Sequence, residues 1–184
     1  MSIHPEGTRV APRPCAADPA LPKLVQTLAD PLLLECGSIY AYTSTASQGG
    51  NKRLAVACKG SNSLVILDAE NAEELKVVGS VAEPTALSGA AGVVVKDNLA
   101  FVAAAGTARI VSVDLTQEAK PTVLSMMQLS AASTVALHGD NHINVGSGPG
   151  RRVTVLSYTP SGVLMKTGSV KDGRLVGRGR LTPC

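Results

Sequence analysis

Aromatic side chains are almost missing from this sequence: one Phe, three Tyr and no Trp, 2% of 184 residues. The core must therefore be aliphatic, built from Val, Leu, Ile and Ala. Uninterrupted apolar runs of transmembrane length are missing too, which excludes a membrane-spanning helix. Charged residues are sparse at 17% against 45% apolar residues, a balance that excludes a disordered polyelectrolyte. No Cys-x-x-Cys pair occurs among Cys15, Cys36, Cys58 and Cys184, so zinc-finger and thioredoxin-type chemistry is not expected. Four cysteines allow three pairings, but a chain of this size needs no staples, and free, mostly buried thiols are expected. The first residues lack the apolar core of a secretory signal. As written the chain is expected in the cytosol, and in a secreted or cell-surface setting if the N-terminus is incomplete.

The charge that is present is unevenly placed. Residues 151–184 hold seven basic side chains (Arg151, Arg152, Lys166, Lys171, Arg174, Arg178 and Arg180) against Asp172 alone, whereas the first 150 residues are net acidic. The tail Arg174-Leu-Val-Gly-Arg178-Gly-Arg180 gives only a weak pointer to nucleic acid or an anionic membrane surface, because it carries no aromatic ring to stack on bases. A solvated terminus is the expected reading.

Residues 1–33 read as an irregular lead-in, with a short helix expected over Pro22–Asp30 and ended by Pro31. From there to residue 170 the pattern changes to short β-branched runs punctuated by Gly, Asn and Asp, which is a strand signature. Residues 171–184 form the basic tail. A repeat runs through the middle segment. Leu54-Ala-Val-Ala-Cys58 matches Leu99-Ala-Phe-Val-Ala103, and Leu64-Val-Ile-Leu-Asp68 matches Ile110-Val-Ser-Val-Asp114. Leu75–Val81 follows as Val123–Leu129, with a two-residue insertion. A weaker third copy runs through Thr134–His138, His142–Gly146, Val153–Leu156 and Val163–Val170, and a strand remnant stands at Ile39–Tyr42. Copies at 43–46 residues with up to four short strands each have the period of a β-propeller blade. Asp97-Asn98 and Gly139-Asp-Asn141 supply the residues that tight hairpins require. Leu64–Leu67 and Gly92–Val95 are continuously apolar, as in strands covered on both faces.

Leu64-Val-Ile-Leu-Asp68 with Leu75-Lys-Val-Val-Gly79-Ser80, and Gly92–Ala103 leading into Ile110–Asp114 and Pro121, resemble the LVIVD repeat. The likeness covers about residues 54–129 well and 133–170 less closely. It implies propeller blades and a scaffold role, and it carries no catalytic residues to transfer. The Asp that closes the third strand is expected to accept hydrogen bonds from the amides of the following loop. It stands at Asp68 and Asp114 but becomes Ser157 in the last copy, and Glu74 occupies the region matching Pro121. Closed propellers use four or more blades, so the expected fold is all-β, a partial or open propeller-like repeat of four-stranded blades. A β-sandwich is the alternative, and it requires no such repeat.

The remaining chemistry is thin. His138-Gly-Asp-Asn-His142 puts two imidazoles and a carboxylate around one hairpin, but hairpin polarity explains Asp140 and Asn141 without a metal. Gly146-Ser-Gly-Pro-Gly150-Arg-Arg152 lacks the Gly-Lys-Ser/Thr ending and the following helix of a phosphate loop, and it lacks the full nucleophile-elbow spacing. Glu70, Glu73 and Glu74 read as a solvated loop. No catalytic, cofactor-binding or metal-ligating residue is assigned, and no cofactor is called for. The expected function is a non-catalytic interaction or scaffold module, with a propeller-type metal-dependent hydrolase as the alternative. The expected partner is an unidentified protein or a second copy meeting through blade edges.

Overall fold

A computed structural model describes residues 26–46, 50–71, 73–148 and 150–171. Among these residues twelve strands form three separate four-stranded antiparallel sheets, each a meander in chain order. The first sheet holds β1 (Cys36–Thr43), β2 (Lys52–Cys58), β3 (Ser63–Asp68) and β4 (Lys76–Ala82). The short helix α1 (Pro84–Leu87) leads into the second, made of β5 (Ala90–Lys96), β6 (Leu99–Ala104), β7 (Arg109–Asp114) and β8 (Thr122–Gln128). The third holds β9 (Thr134–His138), β10 (His142–Ser147), β11 (Arg152–Tyr158) and β12 (Leu164–Lys171). The hairpin turns use the expected residues in the left-handed region, Asp97 at φ 54° and Gly139 at φ 64°. The first strands of the sheets lie side by side, β1 against β5 and β5 against β9. The sheets therefore stack as three blades in an open array.

The hydrogen-bond ladders define the repeat. Each blade has a bulge between its third and fourth strands at the same place, after Ile66, Ser112 and Val155. Arg53 faces Asp68 as Leu99 faces Asp114 and as His142 faces Ser157. This register corrects the sequence alignment. Leu54–Cys58 corresponds to Ala100–Ala104, one residue further on than the match by residue type, and no insertion precedes Val123. The slip matters because one residue reverses which side of the sheet a side chain faces. In the corrected register Ala55 and Phe101 are equivalent and both face the following blade, while Val56 and Val102 both face backward.

Two apolar layers separate the blades. Ala55, Ala57, Leu64 and Ile66 of the first blade meet Val93, Val95, Ala100, Val102, Val111 and Val113 of the second. Phe101, Ala103 and Ile110 of the second blade meet Ile143, Val145, Leu156 and Tyr158 of the third. All four aromatic residues of the chain lie against these layers, Tyr40 and Tyr42 half-buried and Phe101 and Tyr158 buried. Phe101 and Tyr158 meet with ring centroids 4.5 Å apart, a spacing that favours aromatic pairs. The few rings are thus placed where a thin aliphatic stack gains most from them.

The two ends of the array differ. The backward face of the first blade (Val56, Cys58, Val65 and Leu67) is covered by Leu28, Leu32 and Leu33. This covering segment is pinned by the Ser61 and Ser63 hydroxyls, which donate to the Leu32 carbonyl at 2.5 and 3.1 Å. Gln26 clasps Leu75, whose N–H donates to Gln26 Oε1 at 2.6 Å. These contacts hold residues 26–30 in a non-helical path, which corrects the helix expected over Pro22–Asp30; residues 22–25 lie outside the described part. Free thiols were expected as well, but β1 and β2 place Cys36 opposite Cys58 and a disulfide joins them. Strand register brings this pair together, something a separation of 22 residues does not reveal. Cys15 and Cys184 lie outside the described residues. At the other end no described residue covers the forward face of the third blade, and His142, Asn144 and Gly146 stand where the second blade has Leu99, Phe101 and Ala103.

Candidate functional site

A cleft of about 450 Å³ opens between the second and third blades, at the end of the stack that carries the β5–β6 and β9–β10 turns. Asp97 and Asn98 come from the first of these turns, Asp140 and Asn141 from the second. Asp114 ends β7, Tyr158 ends β11, and Leu99, Leu124 and Pro160 add apolar surface. The frame is fixed by hydrogen bonds. Ser112 Oγ, fully buried, donates to the Gly162 carbonyl at 2.6 Å and so ties the β11–β12 loop to the second blade. Gly162 sits at φ 79°, and a Cβ there would lie 2.7 Å from a Leu124 methyl, so both backbone conformation and space demand glycine. Tyr158 donates its hydroxyl to the Asp140 carbonyl at 2.8 Å. Asp114 Oδ1 accepts from the Thr116 N–H at 2.8 Å, as Asp68 Oδ1 accepts from Glu70 at 3.0 Å. This is the role expected of the strand-closing Asp. The third blade, with Ser157 there, uses Thr159 Oγ1 to accept from the Val163 N–H at 3.1 Å. Burial first, then the charges of Asp97 and Asp140, push the Tyr158 phenol above its ordinary value.

The matching place between the first and second blades is filled from within. Arg53 Nη1 lies 3.0 Å from Asp68 Oδ1, and Arg53 Nε donates to Glu118 Oε2 at 3.0 Å. Arg53 and Glu118 are both buried, and Tyr42 adds its hydroxyl to Glu118 Oε1 at 3.0 Å. The β7–β8 loop that delivers Glu118 rests on the bulge of β4, where a Cβ at Gly79 would collide with the Glu118 carbonyl oxygen. Burial first, then the Glu118 carboxylate, hold the Tyr42 phenol well above its ordinary value. The folded state therefore favours the neutral phenol, while the unfolded chain ionises near the ordinary value of about 10. The resulting stability is present below about pH 10 and is lost as the pH rises beyond it. Tyr42→Phe is expected to flatten that alkaline decline, read from urea midpoints between about pH 8 and 11; the same slope in both proteins would refute it.

The residues singled out in the sequence are scattered. His138 and His142 are cross-strand partners with ring centroids 6.4 Å apart, on the forward face of the third blade. His138 Nδ1 lies 3.4 Å from Asn144 Nδ2, whereas Asp140 belongs to the cleft. Among the described residues, no three of His, Cys, Asp and Glu converge on an ion-sized point. Gly146–Arg152 connects β10 to β11 at the opposite end of the blade, beside a pocket of about 210 Å³ that Arg152 and Lys171 also line. Glu70, Glu73 and Glu74 are exposed in the β3–β4 loop, where Glu74 pairs with Lys76 at 2.8 Å. The basic tail, residues 172–184, lies outside the described residues. Arg53, Tyr42 and Glu118 were not picked out from the sequence, and the signal for them was the repeat itself: Arg53 occupies the position of Leu99.

No protein-family model and no curated protein matches the chain. Solved structures do match. A protein of unknown function from Desulfotomaculum acetoxidans superposes with a TM-score of 0.63 at 16% identity, over 76% of this chain and 43% of that one. A protein from Lactobacillus plantarum gives 0.56 at 19% identity, over 72% and 40%. The periplasmic gluconolactonase PpgL of Pseudomonas aeruginosa gives 0.58 at 14% identity, over 68% and 38%. The fold is an open β-propeller-like array. At these identities the likeness concerns the fold alone, and the chain spans less than half the length of each structure. Among the described residues no helix is long and apolar enough to cross a membrane.

Proposed function

We propose that this chain is a non-catalytic interaction module built from LVIVD-like blades, and that the cleft between its second and third blades receives the partner. The carrying observation is the cleft itself: its volume is of ligand size, and its loops are tied to the blades by Ser112–Gly162 and Tyr158–Asp140. Rigid framing of a polar-and-apolar concavity favours binding, because little ordering remains to be done when a ligand enters. The LVIVD likeness is supported by β3 and β7, which carry the two motif copies and end on an Asp in the same turn-closing role. The Cys36–Cys58 disulfide supports an oxidising compartment, in line with the secreted or cell-surface alternative.

The test combines binding with turnover. A panel of small amines, amides, sugars and lactones, titrated into isotope-labelled protein, is expected to shift the amides of Asn98, Thr116 and Asn141 and to be recovered unchanged. Lactone hydrolysis above the blank would replace this reading by the hydrolase, the activity named for the P. aeruginosa neighbour. Shifts confined to other faces would remove the cleft.

A further inference from the structure

The two blade junctions are built on one plan, and among the described residues only one of them is filled. At the first, the guanidinium of Arg53 lies between Asp68 and Glu118. The ladders make Arg53 equivalent to Leu99 and Asp68 equivalent to Asp114. Between the second and third blades, a bulge-to-bulge step of 43 residues (Ser112 to Val155) carries Glu118 to Ser161. Leu99, Asp114 and Ser161 are all lining residues of the cleft. The second junction thus keeps the Asp but has lost the cation, and open volume occurs at that junction. Two further carboxylates, Asp97 and Asp140, stand exposed at the same cleft. We propose that the cleft binds a guanidinium group from a ligand, paired with Asp114 as Arg53 is paired with Asp68.

Several properties favour this cation over others. Among the described residues the carboxylates do not gather closely enough to share an ion, so a larger, flat cation with several donors suits them better. Asp114 spends one oxygen on the Thr116 N–H, and a carboxylate has further acceptor capacity for a guanidinium. Leu99, Leu124, Pro160 and Tyr158 offer apolar surface to the stem that carries it. The exposed carboxylates of Asp97 and Asp140 at the cleft carry the sign of charge such a ligand requires.

The proposal rests on the cleft being the binding site, and the experiment separates the two ideas. Arginine amide and citrulline amide differ in the charge of one group. Titrated into the full chain, arginine amide is expected to produce saturable shifts at Asn98, Thr116, Asn141 and Ser161, with citrulline amide at least about tenfold weaker. Asp114→Asn retains an oxygen for the Thr116 N–H and removes the charge; it is expected to weaken arginine amide at least about tenfold. Leu99→Arg supplies the missing guanidinium from the chain and is expected to abolish binding. Where that variant fails to fold, Asp114→Asn decides. A Gly-Arg-Gly peptide that binds more tightly than arginine amide assigns the group to a protein partner, and weaker binding assigns it to a free small molecule. Equal affinities for arginine and citrulline amides, or no change in Asp114→Asn, overturn the proposal. Other panel compounds binding the cleft while arginine amide does not would leave the module reading standing and remove only the guanidinium.

Discussion

Arg53→Ala is expected to lower the unfolding free energy by about 3–5 kcal/mol, because it leaves the buried carboxylate of Glu118 without its cation. The Arg53 and Glu118 side chains are each 8% exposed, so solvent cannot take over the lost partner. Asp68, at 38%, is closer to water and adds less. A pair at the surface would cost only about 0–1 kcal/mol, and a measured loss of that size in urea would refute the burial argument. The second junction indicates how the cost can be removed. Arg53→Leu combined with Glu118→Ser installs the residues found at Leu99 and Ser161, and the double variant is expected to recover most of the loss, since exchanging a buried ion pair for uncharged groups is often close to neutral. The pair therefore destabilises when half removed and much less when wholly removed. The double variant is also expected to open a second cleft between the first two blades.

The blade architecture was legible because three local signals agreed. Turn residues stood at the hairpins, apolar runs were strand-length, and the strand-closing Asp recurred. Even the third blade could be found despite Ser157, because its hairpin at Gly139–Asn141 was intact. The register was harder, and for a physical reason. A strand covered on both faces has no alternation of apolar and polar residues, so nothing in Leu54–Cys58 says which side chains point forward. Matching Leu54 to Leu99 by residue type looked natural and was one residue out; the ladder opposite Asp68 and Asp114 settles it.

The candidate site was less legible than the fold. Its residues come from four strands and four loops, and none of its motifs is local. Asp97, Asn98, Asp140 and Asn141 were read as turn formers, which they are, and nothing in either turn announces that the two face one cleft. The decisive feature is a substitution between repeats, Arg53 against Leu99, which the misregistered alignment hid by pairing Arg53 with Asn98. The disulfide was hidden in a similar way. Cys36 lies ahead of the strand remnant Ile39–Tyr42, and its pairing depends on β1 closing against β2.

Val113→Asp is expected to prevent folding at neutral pH. Val113 is fully buried in the layer between the first two blades, paired across the sheet with Ala100 and Val123 and clustered with Val111. An ionised carboxylate there has only aliphatic neighbours on its own sheet and would face the apolar side of the first blade. The fold can escape only by protonating it, and holding an Asp neutral at pH 7 against an ordinary value of about 3.9 costs about 4 kcal/mol, at 1.36 kcal/mol per unit. The lost valine packing adds about 1 kcal/mol or more. That sum is a large part of the whole stability of a domain, about 5–15 kcal/mol. The sign of the pH effect follows: the Asp pKa is raised in the fold, so the penalty shrinks as the pH falls towards 4, and partial refolding on mild acidification is the expected signature. Val170→Asp, at a position 65% exposed on β12, serves as the control and is expected to change stability by no more than about 0.5 kcal/mol. A well-dispersed amide spectrum for Val113→Asp at pH 7, with a urea midpoint near that of Val170→Asp, would show that β7 is not enclosed between two blades.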